Sequence, residues 1–192
     1  MRREIFVSAA FLLVLPFGMS RSQVSAYFEL ENRYTFEGKR VLLRPEVNVY
    51  AQRFSNGDVV NPYFYALANN TWGEAYGGLL FHPLSNVFFN SGFGVEANSS
   101  PYRANIGATM TIEDWSLAQW YEFGGSGFWY NVSLNRFICK EYSLGIILKR
   151  YYGLGLNVWY FLAATPLSVN ITPLYDFEAS RSRLCAVLRF TF

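Results

Sequence analysis

The sequence predicts an all-β protein, a single antiparallel transmembrane β-barrel of about twelve strands with short hairpin loops. Apolar and polar residues alternate with a period of two along most of the chain, and turn residues interrupt this alternation about every ten residues. Aromatic residues make up 19% of the chain, more than the 16% that is charged. The alternation predicts strands. The apolar excess predicts a surface that contacts lipid as well as a core.

The first 26 residues predict a cleaved signal peptide. Two arginines precede an apolar segment at residues 5–14, and Val24-Ser25-Ala26 supplies the small residues that precede a cleavage site. The apolar segment is about half the ~20 residues that a spanning helix needs. We therefore expect a signal peptide at residues 1–26 and a transmembrane β-barrel at residues 27–192.

Charge and composition argue against several classes of function. Removing residues 1–26 takes away three arginines and one glutamate, which leaves 13 basic and 13 acidic residues. A formally neutral chain has no basic excess to recruit nucleic acid. One histidine and two cysteines leave little material for a metal site, and no cofactor motif is present. We predict no metal, no cofactor and no nucleic acid partner.

Only helices and closed barrels satisfy the backbone polar groups inside a bilayer. Of these two, helical spans are disfavoured by the sequence. The strongest helical candidate, residues 154–169, is too short and contains Gly155, Asn157 and Pro166. No run of 18 apolar residues occurs elsewhere. A closed sheet is therefore the predicted way of crossing the membrane.

The first six predicted strands are separated by clear turn signals. They occupy residues 27–36, 41–52, 63–67, 74–81, 87–97 and 102–112. Ser55-Asn56-Gly57-Asp58 and Asn98-Ser99-Ser100-Pro101 are typical turn sequences. The third and fourth strands are the least regular, and merging them would give ten strands instead of twelve.

The last six predicted strands continue the same pattern. They occupy residues 115–123, 128–135, 143–149, 154–162, 169–178 and 183–192. Gly124-Gly125-Ser126-Gly127 and Thr165-Pro166-Leu167 provide turns. An even number of strands is what bacterial single-chain barrels have, and it leaves both termini on the periplasmic side.

Thirteen charged residues fall on the predicted inward face, eight of them acidic and five basic. They are Glu29, Glu31, Arg33, Arg44, Glu46, Glu74, Glu96, Arg103, Glu122, Lys149, Asp176, Glu178 and Arg189. Charges inside a protein must be paired or hydrated. The set therefore predicts either a water-filled lumen that favours small cations or an ion-pair network that plugs it, and both remain open.

The last residues of the chain have a distinctive pattern. Apolar residues occupy alternate positions, and Leu188, Phe190 and Phe192 lead to a terminal aromatic residue. This pattern resembles the closing strand of bacterial outer-membrane β-barrel proteins, and it identifies a class without identifying a family. The resemblance implies location in the cell outer membrane, contact with outer-membrane lipid, and Leu188, Phe190 and Phe192 as an assembly signal for the barrel-assembly machinery.

The predicted function is a narrow passive pore for small ions or solutes, or a structural barrel, and not an enzyme. One alternative is a lipid-modifying hydrolase of the outer membrane that uses His82 and Ser85, because a serine nucleophile needs a histidine within hydrogen-bond reach. The other alternative is a secreted antiparallel β-sheet protein whose apolar face forms a core.

Overall fold

The computed structural model describes residues 23–38, 40–54 and 59–192. The chain forms one closed antiparallel barrel of twelve strands, in which each strand pairs with its neighbours in sequence and the first pairs with the last. The strands are β1 (Gln23–Glu37), β2 (Arg40–Phe54), β3 (Val60–Asn69), β4 (Gly73–Leu84), β5 (Val87–Glu96), β6 (Tyr102–Ile112), β7 (Trp115–Gly124), β8 (Gly127–Phe137), β9 (Tyr142–Lys149), β10 (Gly153–Phe161), β11 (Leu167–Asp176) and β12 (Arg181–Thr191). The predicted fold class is confirmed with twelve strands, since β3 and β4 are separate.

The barrel closes between β1 and β12. Their register runs from Tyr27 opposite Thr191 to Phe36 opposite Ser182. Beyond the last strand, Phe192 and Ala26 exchange two backbone hydrogen bonds, with N···O distances of 2.8 and 3.3 Å. Both ends of the sheet therefore find a partner strand, and no edge is left open between β1 and β12.

The predicted signal peptide lies largely outside the described residues, because the description begins at residue 23. In the structure, residues 23–26 belong to β1 and pair with residues 51–54 of β2. The cleavage site after Ala26 stays a prediction. The predicted turn at residues 55–58 also lies outside the described residues.

The two faces of the wall differ sharply in polarity. Large apolar side chains point outward, and Phe93, Ile106 and Leu156 are 78%, 49% and 53% exposed. Most of the buried side chains are instead polar or charged. This is the reverse of the distribution in a water-soluble protein. A closed ladder satisfies the backbone hydrogen bonds of every strand, so the apolar outer face can meet hydrocarbon. This arrangement places the barrel in a membrane.

Among the described residues, no helix has the length and apolar character needed to cross a bilayer.

The connection between β4 and β5 differs from the predicted one. The sequence predicts a turn over residues 82–86, whereas β4 continues to Leu84 and the turn contains only Ser85 and Asn86. The register of β4 and β5 shifts between Phe81 and Leu84. Pro83 has no backbone N–H to donate to the ladder, which explains an irregularity at this point.

Candidate functional site

The barrel encloses a cavity of about 980 Å³ to which all twelve strands contribute side chains. Gln52, Phe137 and Phe161 line the cavity near the end of the barrel that carries the termini. Trp72, Ser126 and Tyr151 line it near the opposite end. We call these the terminal end and the distal end. The cavity thus has lining residues at both ends of the barrel.

Twelve of the thirteen predicted inward charges lie inside the barrel. Ten of them line the cavity, namely Glu29, Glu31, Arg33, Arg44, Glu46, Glu74, Arg103, Glu122, Lys149 and Arg189. Glu96 and Asp176 are buried in the wall. Arg44 is the most exposed of the ten and, within the described part of the chain, forms no ion pair.

Glu178 is the exception, and its predicted inward position is wrong. β11 ends at Asp176, and Glu178 is exposed in the turn that follows. The Asp176 carboxylate accepts hydrogen bonds from the backbone N–H groups of Glu178 and Ala179, both at 3.1 Å. An aspartate that caps the backbone in this way starts a turn, and the alternation of a strand stops there.

A first ion-pair network joins β1 to β2 and β9, and we call it the Arg33 network (Arg33, Glu31, Glu46, Lys149). Arg33 Nε lies 2.5 Å from Glu31, and Lys149 lies 3.3 Å from the same carboxylate. Arg33 also donates to Glu46 and to the hydroxyl of Tyr152, whose ring lies 4.6 Å below the guanidinium. Two cations and two carboxylates balance each other here.

A second network lies on β4 to β7, and we call it the Arg103 network (Arg103, Glu74, Glu96, Glu122). Arg103 pairs with Glu96, with Glu122 at 2.9 Å and with Glu74 at 3.6 Å. Its Nε donates to the Tyr76 hydroxyl at 2.6 Å. The four charged side chains are each at most 6% exposed. One cation faces three carboxyl groups, so acidic side chains outnumber basic ones in this network.

Two further ion pairs are balanced. Arg189 lies 2.5 Å from Glu29, and Arg183 lies 2.7 Å from Asp176. Arg183 was missing from the predicted inward set, although its parity in the last strand already placed it on the inward side. With Arg183 included and Glu178 removed, seven inward carboxylates face six inward cations. The predicted acidic excess of the interior is thus confined to the Arg103 network.

Aromatic side chains narrow the cavity on the β3 to β7 side. The Trp120 ring on β7 contacts the rings of Tyr63, Tyr65 and Tyr76 on β3 and β4, with centroid distances of 6.2, 5.7 and 6.5 Å. Its indole N–H donates to Glu122 at 2.5 Å. Trp120 therefore reaches across the inner face of the two strands in between. The position of Trp120 in the alternation predicts that its side chain points inward. It does not predict how far the ring extends across the neighbouring strands.

Inward glycines make room for these rings. A Cβ atom at Gly92 would lie 2.4 Å from the Tyr63 hydroxyl oxygen, and one at Gly94 would lie 2.8 Å from Tyr76 Cδ1. Real Cβ atoms do not approach so closely. The large rings of β3 and β4 can therefore lie against the wall only because the positions that they cover on β5 are glycines.

The residues of the hydrolase alternative lie outside this arrangement. His82 is in β4 and packs edge-on against Phe88, with a centroid distance of 4.4 Å. Ser85 is exposed in the turn after β4. The described residues contain no group of three or more His, Cys, Asp or Glu side chains arranged to hold a metal ion.

The predicted assembly residues all lie in or just after β12. Leu188 pairs with Leu30 of β1, and the Phe190 ring lies 6.4 Å from that of Phe28. Phe192 is 74% exposed. The terminal aromatic therefore contributes backbone hydrogen bonds to barrel closure and little side-chain packing.

Comparisons with known proteins agree on the fold. The KdgM porin matches with a TM-score of 0.57 and 16% identity, over 85% of this chain and 99% of that chain. The NanC porin matches with a TM-score of 0.55 and 9% identity, over 85% of this chain and 98% of that chain. A KdgM porin in complex with disordered oligogalacturonate matches with a TM-score of 0.54 and 14% identity, over 85% and 99%.

No family model matches the sequence, and no curated protein matches it either. The similarity to the porins thus establishes a shared architecture. The predicted class, a bacterial outer-membrane β-barrel, is confirmed, and the chain has the architecture of a porin.

Proposed function

We propose that the protein is a narrow passive pore of the outer membrane that admits small ions and solutes. The observation that carries this proposal is the cavity, which has charged lining residues on seven of the twelve strands and lining residues near both ends of the barrel. Charged groups such as Arg44, which forms no ion pair in the described part of the chain, need water. A hydrated interior inside a closed apolar wall is a path across the membrane.

The pore has a weak preference for cations. The excess carboxylates of the Arg103 network supply it, because fixed charges on a pore wall raise the local concentration of counter-ions. The other inward charges are balanced by partners, so the preference is small. Large rings such as Trp120 leave little room for bulky solutes.

The test is single-channel recording of the refolded protein in planar bilayers, with reversal potentials in asymmetric salt. Discrete conductance steps with a cation-selective reversal potential are expected. Glu122→Gln removes one of three carboxylates facing Arg103, and it lowers the cation preference. Glu46→Gln leaves Arg33 and Lys149 facing one carboxylate, so it shifts selectivity in the same direction.

A structural barrel without conductance is the second candidate, and one observation favours it. Each of the seven inward carboxylates lies within 4 Å of a cation. Ion pairs that satisfy one another can hold side chains across a lumen and block it. A folded, membrane-inserted protein that shows no conductance steps would establish this candidate over the pore.

The remaining predicted properties belong to the same proposal. The protein contacts outer-membrane lipid, is inserted by the barrel-assembly machinery and performs no catalysis. The mature chain begins near Tyr27, which N-terminal sequencing of the membrane-bound form tests. Lipid turnover that disappears in His82→Ala or Ser85→Ala would overturn the non-enzymatic assignment. Recovery of a soluble periplasmic chain would support the secreted sheet protein.

A further inference from the structure

The charged residues of the interior concentrate near the distal end. Arg33, Arg44, Lys149 and Arg183 each lie within five residues of the distal end of their strands. The same holds for all four members of the Arg103 network. The charges therefore share one level of the barrel, where a passing solute meets them together.

One side of this level is rich in cations. Arg33 and Arg44 are direct neighbours across β1 and β2, and Arg183 lies on the adjacent β12. Arg33, Lys149 and Arg183 converge on the ring of Tyr152, at 4.6, 5.2 and 5.3 Å from its centroid. We call these four cations and their carboxylates Glu31, Glu46 and Asp176 the basic wall. Its uncompensated charge is that of Arg44, which faces the cavity.

The second wall is the Arg103 network, which has two carboxylates more than it has cations. Glu74 is the farthest of the three from Arg103, at 3.6 Å, and it lines the cavity. Glu122 lines the cavity as well. These two carboxyl groups therefore lie at the cavity wall, where their electric field acts on a solute in the cavity although they are themselves nearly buried.

Strand order places the two walls on different parts of the ring. In a closed ring of twelve strands, β1 lies opposite β7 and β12 lies opposite β6. The cations of the basic wall lie on β9, β12, β1 and β2, and the Arg103 network occupies β4 to β7. Arg44 on β2 is therefore separated from Glu74 by β3 alone, and it lies five strands away from Glu122 on β7. A solute at this level feels an electric field directed from the basic wall toward the Arg103 network. Such a field favours a molecule with a positive end and a negative end over a neutral one or over a single ion of either sign.

We propose that the pore selects small zwitterions, molecules that carry one ammonium group and one carboxylate or sulfonate group. The anionic end faces Arg44 on the basic wall, and the ammonium end faces Glu74 and Glu122. The inference rests on the proposed pore function and names the class of solute for that pore. A polyanion would meet the Arg103 network with like charge, so a chain of acidic sugars is a poor fit.

The test compares two solutes of similar size in liposome swelling, the zwitterion taurine and the neutral polyol erythritol. Both enter without a counter-ion, so the ratio of their rates reports the electric field inside the pore. We expect taurine to enter faster than its size predicts. The double variant Arg44→Gln/Glu74→Gln should lower the taurine-to-erythritol ratio by about fivefold, the effect of one opposite charge met at each end of the solute in a hydrated site.

Arg44→Gln and Glu74→Gln are the mildest ways to weaken each wall. Arg44 has no ion pair to lose among the described residues, and Arg103 keeps Glu96 and Glu122 when Glu74 is neutral. The control is Glu113→Gln/Arg136→Gln, which changes the same two charges at the terminal end and should leave the ratio unchanged. Heat-modifiable gel migration confirms that each variant is folded, and Arg44→Gln alone decides the question if the Glu74 variant does not fold.

The outcomes separate the two proposals. A high ratio in the natural protein that falls in the wall variants supports selection of zwitterions. Erythritol entry with a ratio that the wall variants do not change overturns the inference and leaves the pore intact. Liposomes that swell with neither solute overturn the pore itself, and the inference with it.

Discussion

Arg103 holds three carboxylates in a part of the wall from which water is largely excluded. Replacing Arg103 with Gln leaves Glu74, Glu96 and Glu122 facing one another without a cation. We expect the free energy of unfolding to fall by about 3–5 kcal/mol, the usual cost of removing one member of a buried ion pair. Urea unfolding in lipid vesicles, followed by tryptophan fluorescence, measures the change.

The matched control is Arg136→Gln at the terminal end. Arg136 pairs with Asp114 at 3.0 Å, but the two side chains are 53% and 41% exposed. This exposed guanidinium lowers the pKa of Asp114 in the turn between β6 and β7. Exposed pairs contribute little to stability, because water screens them. Equal losses of stability in the two variants would mean that water reaches Arg103 freely.

Sequence parity gives a direction for each single residue, but it does not give the partners of that residue. It placed Glu29, Arg103 and Arg189 inward, because side chains alternate strictly along a strand. It could not show that Arg103 would collect three carboxylates from three different strands. Such contacts depend on strand register and on how far a side chain reaches, and neither is written in the alternation. Glu178 was placed wrongly because the Asp176 turn ends the alternation two residues earlier.

At the scale of elements, β4 and β5 approach closely through glycine. A Cβ atom at Gly94 would lie 2.0 Å from the carbonyl oxygen of Ala75, whereas a Cβ atom at Gly77 would meet nothing within 4 Å. Gly94→Ala should therefore destabilise the barrel by about 1–3 kcal/mol through overpacking. Gly77→Ala should be neutral or slightly stabilising, since glycine in a strand costs about 0.5–1 kcal/mol relative to alanine.

Unfolding midpoints of the two glycine variants in vesicles measure the difference. The two positions lie in adjacent strands and receive the same substitution, so each controls for the other. A Gly94→Ala protein as stable as Gly77→Ala would show that β4 and β5 lie further apart than described.

The closing strand offers a separation of assembly from stability. The Phe192 side chain makes little packing contact, because it is 74% exposed, while its backbone is hydrogen-bonded to the backbone of Ala26. Replacing Phe192 with Ala keeps the backbone bonds, so refolding into vesicles should be nearly unchanged. Insertion in cells should fall, because the terminal aromatic resembles the recognition end of this barrel class. Outer-membrane levels and refolding yields are compared for the same variant, and normal levels in cells would contradict an assembly role.

The elements themselves were largely predictable from the sequence. All twelve strands appear near their predicted positions, since alternation and turn residues are local signals. Strand ends were less well placed. β1 and β2 each span 15 residues, several more than predicted, because each continues to find a partner strand beyond its regular alternation. Pairing of this kind is decided by the neighbouring strand and not by the sequence of the strand itself.

At the scale of the whole molecule, we expect the outer face of the barrel to accept only apolar side chains, because it contacts lipid. Val132 and Ser133 are neighbours near the middle of β8, and Ser133 lines the cavity while Val132 does not. Val132→Arg should cost about 2–4 kcal/mol in a bilayer, as for arginine at the membrane midplane. Ser133→Arg should cost much less because its charge meets water. Urea midpoints in vesicles rank the two variants, and the reverse order would mean that β8 faces the other way.

The width of the passage depends on Trp120. Trp120→Ala removes the ring that reaches from β7 to β3 and β4, so single-channel conductance should rise. Trp120→Phe keeps an aromatic ring at the same place and should leave conductance close to that of the natural protein. If Trp120→Ala conducts like the natural protein, the narrowest point lies elsewhere in the barrel.

The closure between β1 and β12 has a consequence for how the chain folds. Eleven of the twelve strand pairings join consecutive strands, and only the pairing of β1 with β12 brings together distant residues such as Phe28 and Phe190. Hairpins can therefore form one after another as the chain becomes available, at little entropic cost for each. The first strand must keep one edge open until the last strand arrives. A chain that stops short of β12 would present two unpaired edges at once, which makes truncated products prone to aggregate or to be degraded before they reach the membrane.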